Sequence, residues 1–316
     1  MQTKDTAVTT NSLRAWLLAA RPKTLSAAAV PVLVGLALAY RSAAWQGFGV
    51  LPAVLCLMFA WLMQIDSNLI NDYFDYVRGR DDRDTRLGPA RACASGWVTL
   101  PAMRRAVAAV SVAACAVGLP LIAYGGWWLV AVGAVCVVFA FLYTTFFASR
   151  GLGDVLVVVF FGLVPVYFTW YVVVPPSLQG FDGSVLMVAC CCGLVVDTLL
   201  LVNNYRDLDV DRACGKITLA VRLGHSATRR LYLLLPFVAE ALLAWPVAAV
   251  GPGGMLKTAV LPLMAIYLGL HVQTARAMKA IGRGKALNRV LGLTARNIFV
   301  FGLVTVAQIL LVCLLS

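Results

Sequence analysis

Runs of about twenty consecutive apolar residues recur along the whole of this chain, and they leave it few folds to choose from. Nine such spans are read near 25–40, 50–77, 102–124, 127–147, 153–174, 184–206, 229–249, 257–279 and 294–315. Hydrophobic residues make up 61% of the 316 positions and charged residues 13%, more apolar surface than one water-soluble core of this length can bury. Lipid can take that surface if each span satisfies its own backbone, which a helix does. Gly125-Gly126, Pro175-Pro176-Ser177 and Gly251-Pro252-Gly253-Gly254 supply hairpin punctuation between spans. The expectation is an all-α integral membrane protein of about nine transmembrane helices in one bundle. Residues 1–20 would form an arm and 21–316 a single transmembrane domain.

The net charge of +12 could suggest nucleic acid, but its distribution argues otherwise. Of 26 Lys and Arg, all but Arg41 and Lys257 fall in the N-terminal arm or in alternate connections, at 78–105, Arg150, 206–230 and 276–296. That asymmetry is the positive-inside pattern of short loops. It puts the N-terminus in the cytoplasm and, with nine spans, the C-terminus outside; for a bacterial host the expected location is the inner membrane, with the active face cytoplasmic. The first twenty residues are mixed, carry Lys4, Asp5 and Arg14, and do not read as a cleaved leader. Most of the nine cysteines lie inside apolar spans, where a small soft side chain packs. His225 and His271 have no metal-like neighbours in sequence and stay unassigned.

The 14 carboxylates are concentrated in two places. Six lie between Asp66 and Asp84 and four between Asp197 and Asp211. Acids in or beside a span are costly and are functional candidates by default. The first cluster reads Asn68-Leu69-Ile70-Asn71-Asp72-Tyr73-Phe74-Asp75, which sets Asn68, Asp72 and Asp75 on one helical face. The second reads Asn203-Asn204-Tyr205-Arg206-Asp207-Leu208-Asp209-Val210-Asp211, with Asn203, Asp207 and Asp211 on one face. Both end even-numbered spans, four apart, and precede long basic loops, a weak internal repeat of motif and placement. Two oxygen-rich faces opposed across a bundle suit a hard divalent cation such as Mg²⁺. Lys23, Arg78, Arg91, Arg206, Lys216 and Arg222 are the candidates for phosphate charge. Arg78, with Arg80, Arg104 and Arg105, is equally well explained as fixing topology. The Asp81–Asp84 run reads equally well as solvated.

With these residues in view, the chain resembles the UbiA-type superfamily of membrane aromatic prenyltransferases, within it most closely the 1,4-dihydroxy-2-naphthoate polyprenyltransferases of menaquinone biosynthesis. The matching blocks are Arg21 to Leu25, Asn68 to Asp75 with Gly79, Arg86 to Pro89, Gly151 to Asp154, Asn203 to Asp207, and Asp211 to Lys216 running into Thr218 to Gly224. The resemblance implies a nine-helix bundle around a central cavity, with Mg²⁺ bridging both acidic motifs to a polyprenyl diphosphate. It implies metal ligation by Asn68, Asp72, Asp75, Asn203, Asp207 and Asp211, with the four aspartates catalytic. It also implies transfer of the polyprenyl group to the naphthoate ring with loss of CO₂. Lys23, Arg91, Arg206, Lys216 and Arg222 would meet the diphosphate. Tyr73, Tyr143 and Tyr205 would offer aromatic faces to an allylic cation. Two positions depart from the wider family: Tyr76 stands where several members have an acid, and Phe147 where some have a lysine after a tyrosine. Other acceptors (4-hydroxybenzoate, homogentisate, chlorophyllide) remain alternatives. An ion-coupled transporter is a reading from another class, since intramembrane acids and repeats occur there too.

Overall fold

A chain that has lipid for solvent must close its backbone hydrogen bonds within each segment, and every regular element found is helical. The computed structural model describes residues 8–79, 86–248 and 255–315. The expected turn at Gly251–Gly254 and the Asp81–Asp84 run lie outside the described residues.

A short helix, α1 (Leu13–Ala20), starts at Ser12, whose side chain accepts from the Ala15 amide. Arg21, in the left-handed region with φ 54°, turns the chain into α2 (Pro22–Ala43), with Pro22 at its first position. Eight more long helices follow: α3 (Val50–Val77), α4 (Leu100–Gly125), α5 (Leu129–Arg150), α6 (Gly153–Val173), α7 (Gly183–Ala213), α8 (Leu219–Ala248), α9 (Met255–Ile281) and α10 (Leu287–Leu315). Among the described residues, seven of the nine long helices α2–α10 are long and apolar enough to cross a membrane, all except α8 and α9. Those two cover the expected spans at 229–249 and 257–279. α8 starts ten residues early because Leu219–Leu223 form a turn of their own before Gly224, whose φ of 74° breaks the helix.

Between helices in lipid there is little hydrophobic drive, so close van der Waals approach holds them together. Glycines mark the crossings. A Cβ on Gly193 of α7 would sit 2.6 Å from the Val158 carbonyl oxygen of α6, and one on Gly162 would sit 2.5 Å from the Gly193 Cα. Gly35 of α2 meets the Val166 carbonyl of α6 in the same way, and Gly302 of α10 meets Val30 of α2. Polar pairs add to this. Tyr232 bonds Thr294 at 2.8 Å, His271 Nε2 reaches the Tyr232 carbonyl at 3.0 Å, and Asn297 donates to Thr274 at 2.9 Å, joining α8, α9 and α10. His271, unassigned in sequence, is therefore a packing residue.

At the start of α7, Asp182 Oδ1 accepts from the Ser184 and Val185 amides at 2.8 and 3.1 Å and from the Ser184 hydroxyl. Burial alone would raise its carboxyl, but those bonds and nearby Arg41 outweigh it and hold it below the usual aspartate range. The cap therefore stabilises above the unfolded pKa of about 3.9 and is lost as pH falls through the lower folded value. Asp182→Ala is expected to cost about 1 kcal/mol. Thermal unfolding at pH 7 in detergent would read this as a lower midpoint, with the gap to wild type narrowing in acid.

Candidate functional site

Both acidic motifs lie at the ends of their helices, and the loops that follow knit those ends to one another. Arg78, at the end of α3, donates to the Thr144 and Thr145 carbonyls of α5 at 3.3 and 2.9 Å. Asn71 accepts from the Thr144 hydroxyl, a second tie between the same helices. The loop after α7 meets the α5–α6 turn, where the Ile217 amide donates to the Ser149 carbonyl and Arg222 to the Arg150 carbonyl at 2.8 Å. Asp209 pairs with His225 of α8 at 3.3 Å and Arg283 of the α9–α10 loop at 3.6 Å.

Asn68, Asp72 and Asp75 share a face of α3, as their spacing requires, but they are not equivalent. Asn68 and Asp72 are buried, and Asp75 keeps partial exposure. Asn68 donates to the Ala20 carbonyl at 3.1 Å and to the Thr24 hydroxyl at 3.0 Å, and accepts from Gln64. Asp72 accepts from the Ala92 amide at 2.8 Å with one oxygen and from the Cys93 amide at 2.9 Å with the other. It thereby pins the loop that returns to α4, leaving further lone pairs on each oxygen. Asp75 faces Arg91 at 3.4 Å.

The second motif is organised by a buried arginine. Arg206 reaches Asp207 through two nitrogens at 2.6 and 2.8 Å, Asn203 Oδ1 at 2.8 Å and Asn288 Oδ1 of α10 at 2.8 Å. Its side chain is 1% exposed, against 24% for Asp207. Asp211 pairs with Lys216 at 3.3 Å through Oδ1, while its Oδ2 is buried without a hydrogen-bond partner. Asn288 also donates to the Leu87 carbonyl, in the loop that Asp72 pins through the Ala92 and Cys93 amides, so the second motif is tied by hydrogen bonds to the first.

Each outer acid is thus held by a base: Asp75 by Arg91, Asp207 by Arg206 and Asp211 by Lys216. Among the described residues, no three acids, histidines or cysteines form a closed metal cluster. The oxygen donors at the two helix ends nevertheless fit a hard cation, since the orphaned Asp211 oxygen gains a partner by meeting one. Arg78 and Arg222 are bonded to backbone carbonyls, and Lys23 is exposed at the start of α2.

The three candidate tyrosines part company. Tyr73 packs edge-on against Phe74 in the core beneath α1, and Tyr205 is buried edge-on against His225. Tyr143 lies in a π-helical turn, Tyr143–Phe147, and lines a cavity of about 380 Å³. Such turns are frequent at functional sites. The cavity runs between α2, α3, α4, α5 and α6 and is apolar along Phe59, Met63 and Phe160; polar side chains in its wall include Gln64, Ser67 and Tyr143. Gln64 bonds Asn68, and the charges of Asp75, Asp154 and Asp197 act on Tyr143. The cavity thus leads to the first motif. Sequence reasoning passed over Gln64 and Asn288; each is an amide one helical turn from a motif or just after a basic loop, a faint signal at best.

The UbiA prenyltransferase family model matches residues 28–288. The 1,4-dihydroxy-2-naphthoate octaprenyltransferase of Escherichia coli is 39% identical over 232 residues, 70% of this chain and 72% of that one. The enzyme of that name in Haemophilus influenzae is 35% identical over 269 residues, 80% of this chain and 84% of its own. A UbiA homologue from Aeropyrum pernix superposes with a TM-score of 0.66 at 20% identity, covering 90% of this chain and 97% of its own. One from Archaeoglobus fulgidus bound to DMAPP and Mg²⁺ gives 0.60 at 13%, covering 92% and 99%. At such identities the two structures speak for the fold alone.

Proposed function

The chain belongs to the UbiA prenyltransferase family, and from that premise we propose that it transfers a polyprenyl group from polyprenyl diphosphate to 1,4-dihydroxy-2-naphthoate, with Mg²⁺ required and CO₂ released. It is a membrane-embedded aromatic polyprenyltransferase of menaquinone synthesis; donor, metal and decarboxylation are the finer part of this reading. The observation that carries it is the cavity: an apolar shaft whose wall includes Gln64, which bonds Asn68 of one acidic helix end, with the second acidic end tied to the loop of the first through Asn288.

The greasy tail takes the shaft and the diphosphate takes the polar end. Mg²⁺, when bound, supplies charge that stabilises a departing diphosphate. Asn68, Asp72 and Asp75 on α3 and Asn203, Asp207 and Asp211 on α7 would hold it. Arg91 and Lys216, each paired with one of those acids, would turn toward phosphate oxygens, and Arg206, held by Asp207, Asn203 and Asn288, would lend its charge from where it stands. Lys23 and Arg222 stand further out. Tyr143 offers its ring from the cavity wall to the allylic cation, and the apolar lining keeps water from capturing that cation. The acceptor's ring carbon attacks, and the carbon–carboxylate bond breaks to release CO₂. The basic loops support nine spans with the N-terminus and active face in the cytoplasm, the C-terminus outside and the protein in the inner membrane.

Purified protein in nanodiscs, given polyprenyl diphosphate, Mg²⁺ and carboxyl-¹³C dihydroxynaphthoate under anaerobic conditions, is expected to give the quinol form of demethylmenaquinone, diphosphate and one ¹³CO₂ per product. Prenylated product that retains the label would overturn the loss of CO₂, and product formed from 4-hydroxybenzoate or homogentisate but not from dihydroxynaphthoate would replace this acceptor with another.

A further inference from the structure

Helices α3 and α7 carry the two acidic motifs, and one side chain of α10 joins the parts attached to each. Asn288 accepts from Arg206 Nη1 at 2.8 Å through Oδ1 and donates to the Leu87 carbonyl at 2.8 Å through Nδ2. Arg206 in turn holds Asp207 and Asn203. Leu87 belongs to the loop whose far end Asp72 pins through the Ala92 and Cys93 amides. Gly88, beside Leu87, packs against the Arg206 guanidinium; a Cβ there would lie 2.7 Å from Arg206 Nη2.

We infer that Asn288 is a positioning residue that sets the separation of the two motifs, and through it the affinity for the metal–diphosphate group of the donor. This rests on the proposed reading of the site. The chemistry demands an amide at this position. A guanidinium only donates and a carbonyl only accepts, so the residue between them must offer one acceptor and one donor from a single head group. Aspartate has the same size and still accepts from Arg206, but it turns a second acceptor toward the Leu87 carbonyl, and the loop must retreat. Alanine releases both sides.

The test uses full-length protein in nanodiscs, with Mg²⁺ plus inorganic pyrophosphate as binding probe and polyprenyl diphosphate as substrate. Asn288→Asp is expected to raise both the half-saturating pyrophosphate concentration in a thermal-shift titration and the KM for polyprenyl diphosphate about tenfold, the worth of one strong hydrogen bond. The acceptor's KM and the ligand-free melting temperature should stay near wild type. Asn288→Ala should raise both at least as much and also lower the melting temperature, because it strands the buried Arg206 Nη1. Wild-type pyrophosphate affinity in Asn288→Asp would overturn the assignment, as would a parallel fall, in that same variant, in melting temperature and in affinity for both substrates. If wild type binds pyrophosphate but prenylates no naphthoate, the proposed reaction fails while the binding comparison still decides the role of Asn288. If wild type does not bind pyrophosphate, both fall.

Discussion

Asp207→Asn is expected to lower kcat/KM for prenyl transfer by about a thousandfold while leaving the fold intact; loss of one preorganised electrostatic group costs an enzyme 10²–10³ in rate, and this position is asked to serve a metal and a diphosphate together. Asparagine is the informative choice. Its side-chain oxygen still accepts from Arg206 Nε, and although the new amide nitrogen no longer accepts from Nη2, Nη2 keeps Asn203 and Nη1 keeps Asn288, so the guanidinium stays anchored. What disappears is the negative charge. Asp207→Ala should lose as much activity and also some stability, because Arg206 is 1% exposed in its side chain and would lose its carboxylate. Asp72→Ala should nearly abolish turnover as well, but there the loss is mixed with structure: the Ala92 and Cys93 amides go unpaired, at about 1–3 kcal/mol for each buried donor. Steady-state kinetics across a Mg²⁺ titration, beside melting curves, separates these cases. A normal rate for Asp207→Asn at any Mg²⁺ concentration would remove the second motif from the metal site.

Gly193→Val is the second large effect, and it is one of folding. A Cβ at Gly193 meets the Val158 carbonyl oxygen at 2.6 Å and the Val158 Cα at 2.9 Å, backbone atoms that cannot rotate aside. α6 and α7 would have to move apart, taking with them the Gly162 crossing and the helix that ends in the second motif. The expected loss is about 3 kcal/mol, at the upper end of ordinary overpacking, with low yield from membranes. Gly292→Ala is the matched control. It too lies inside a helix, but a Cβ there meets nothing within 4 Å, so it should be neutral or stabilise by up to about 1 kcal/mol. Comparable melting temperatures for Gly193→Val and Gly292→Ala would mean that the α6–α7 approach is looser than described.

Much of this was legible in the chain. The apolar runs gave nine segments, and each coincides with a long helix, the seven most apolar within a few residues at most boundaries. The paired acidic faces were read correctly as helix ends, because i, i+4, i+7 spacing is a property of the helix itself. Partners were harder. Nothing in a one-dimensional pattern says that Asp72 caps the 92–93 amides, since that depends on how the return loop folds. Nor could the three tyrosines be separated. Aromatics beside a motif look alike in sequence, and only the π-helical turn at Tyr143 puts one of them on the cavity wall. The glycine crossings were missed for a related reason: Gly162 and Gly193 sit inside apolar runs where any small residue would fit the hydropathy.

α1 turns Leu13, Leu17 and Leu18 outward, and its final residue, Ala20, accepts the hydrogen bond from Asn68. Leucines on one side of a short helix just ahead of a span suit the boundary between headgroups and acyl chains. The first motif would then be moored to a float riding at that boundary. Changes in bilayer thickness or lateral pressure would reach Asn68 through Ala20, and Asp72 through the Ala92–Cys93 loop that packs against Ala15 and Ala19, making the choice of host lipid a variable of catalysis as well as of solubility.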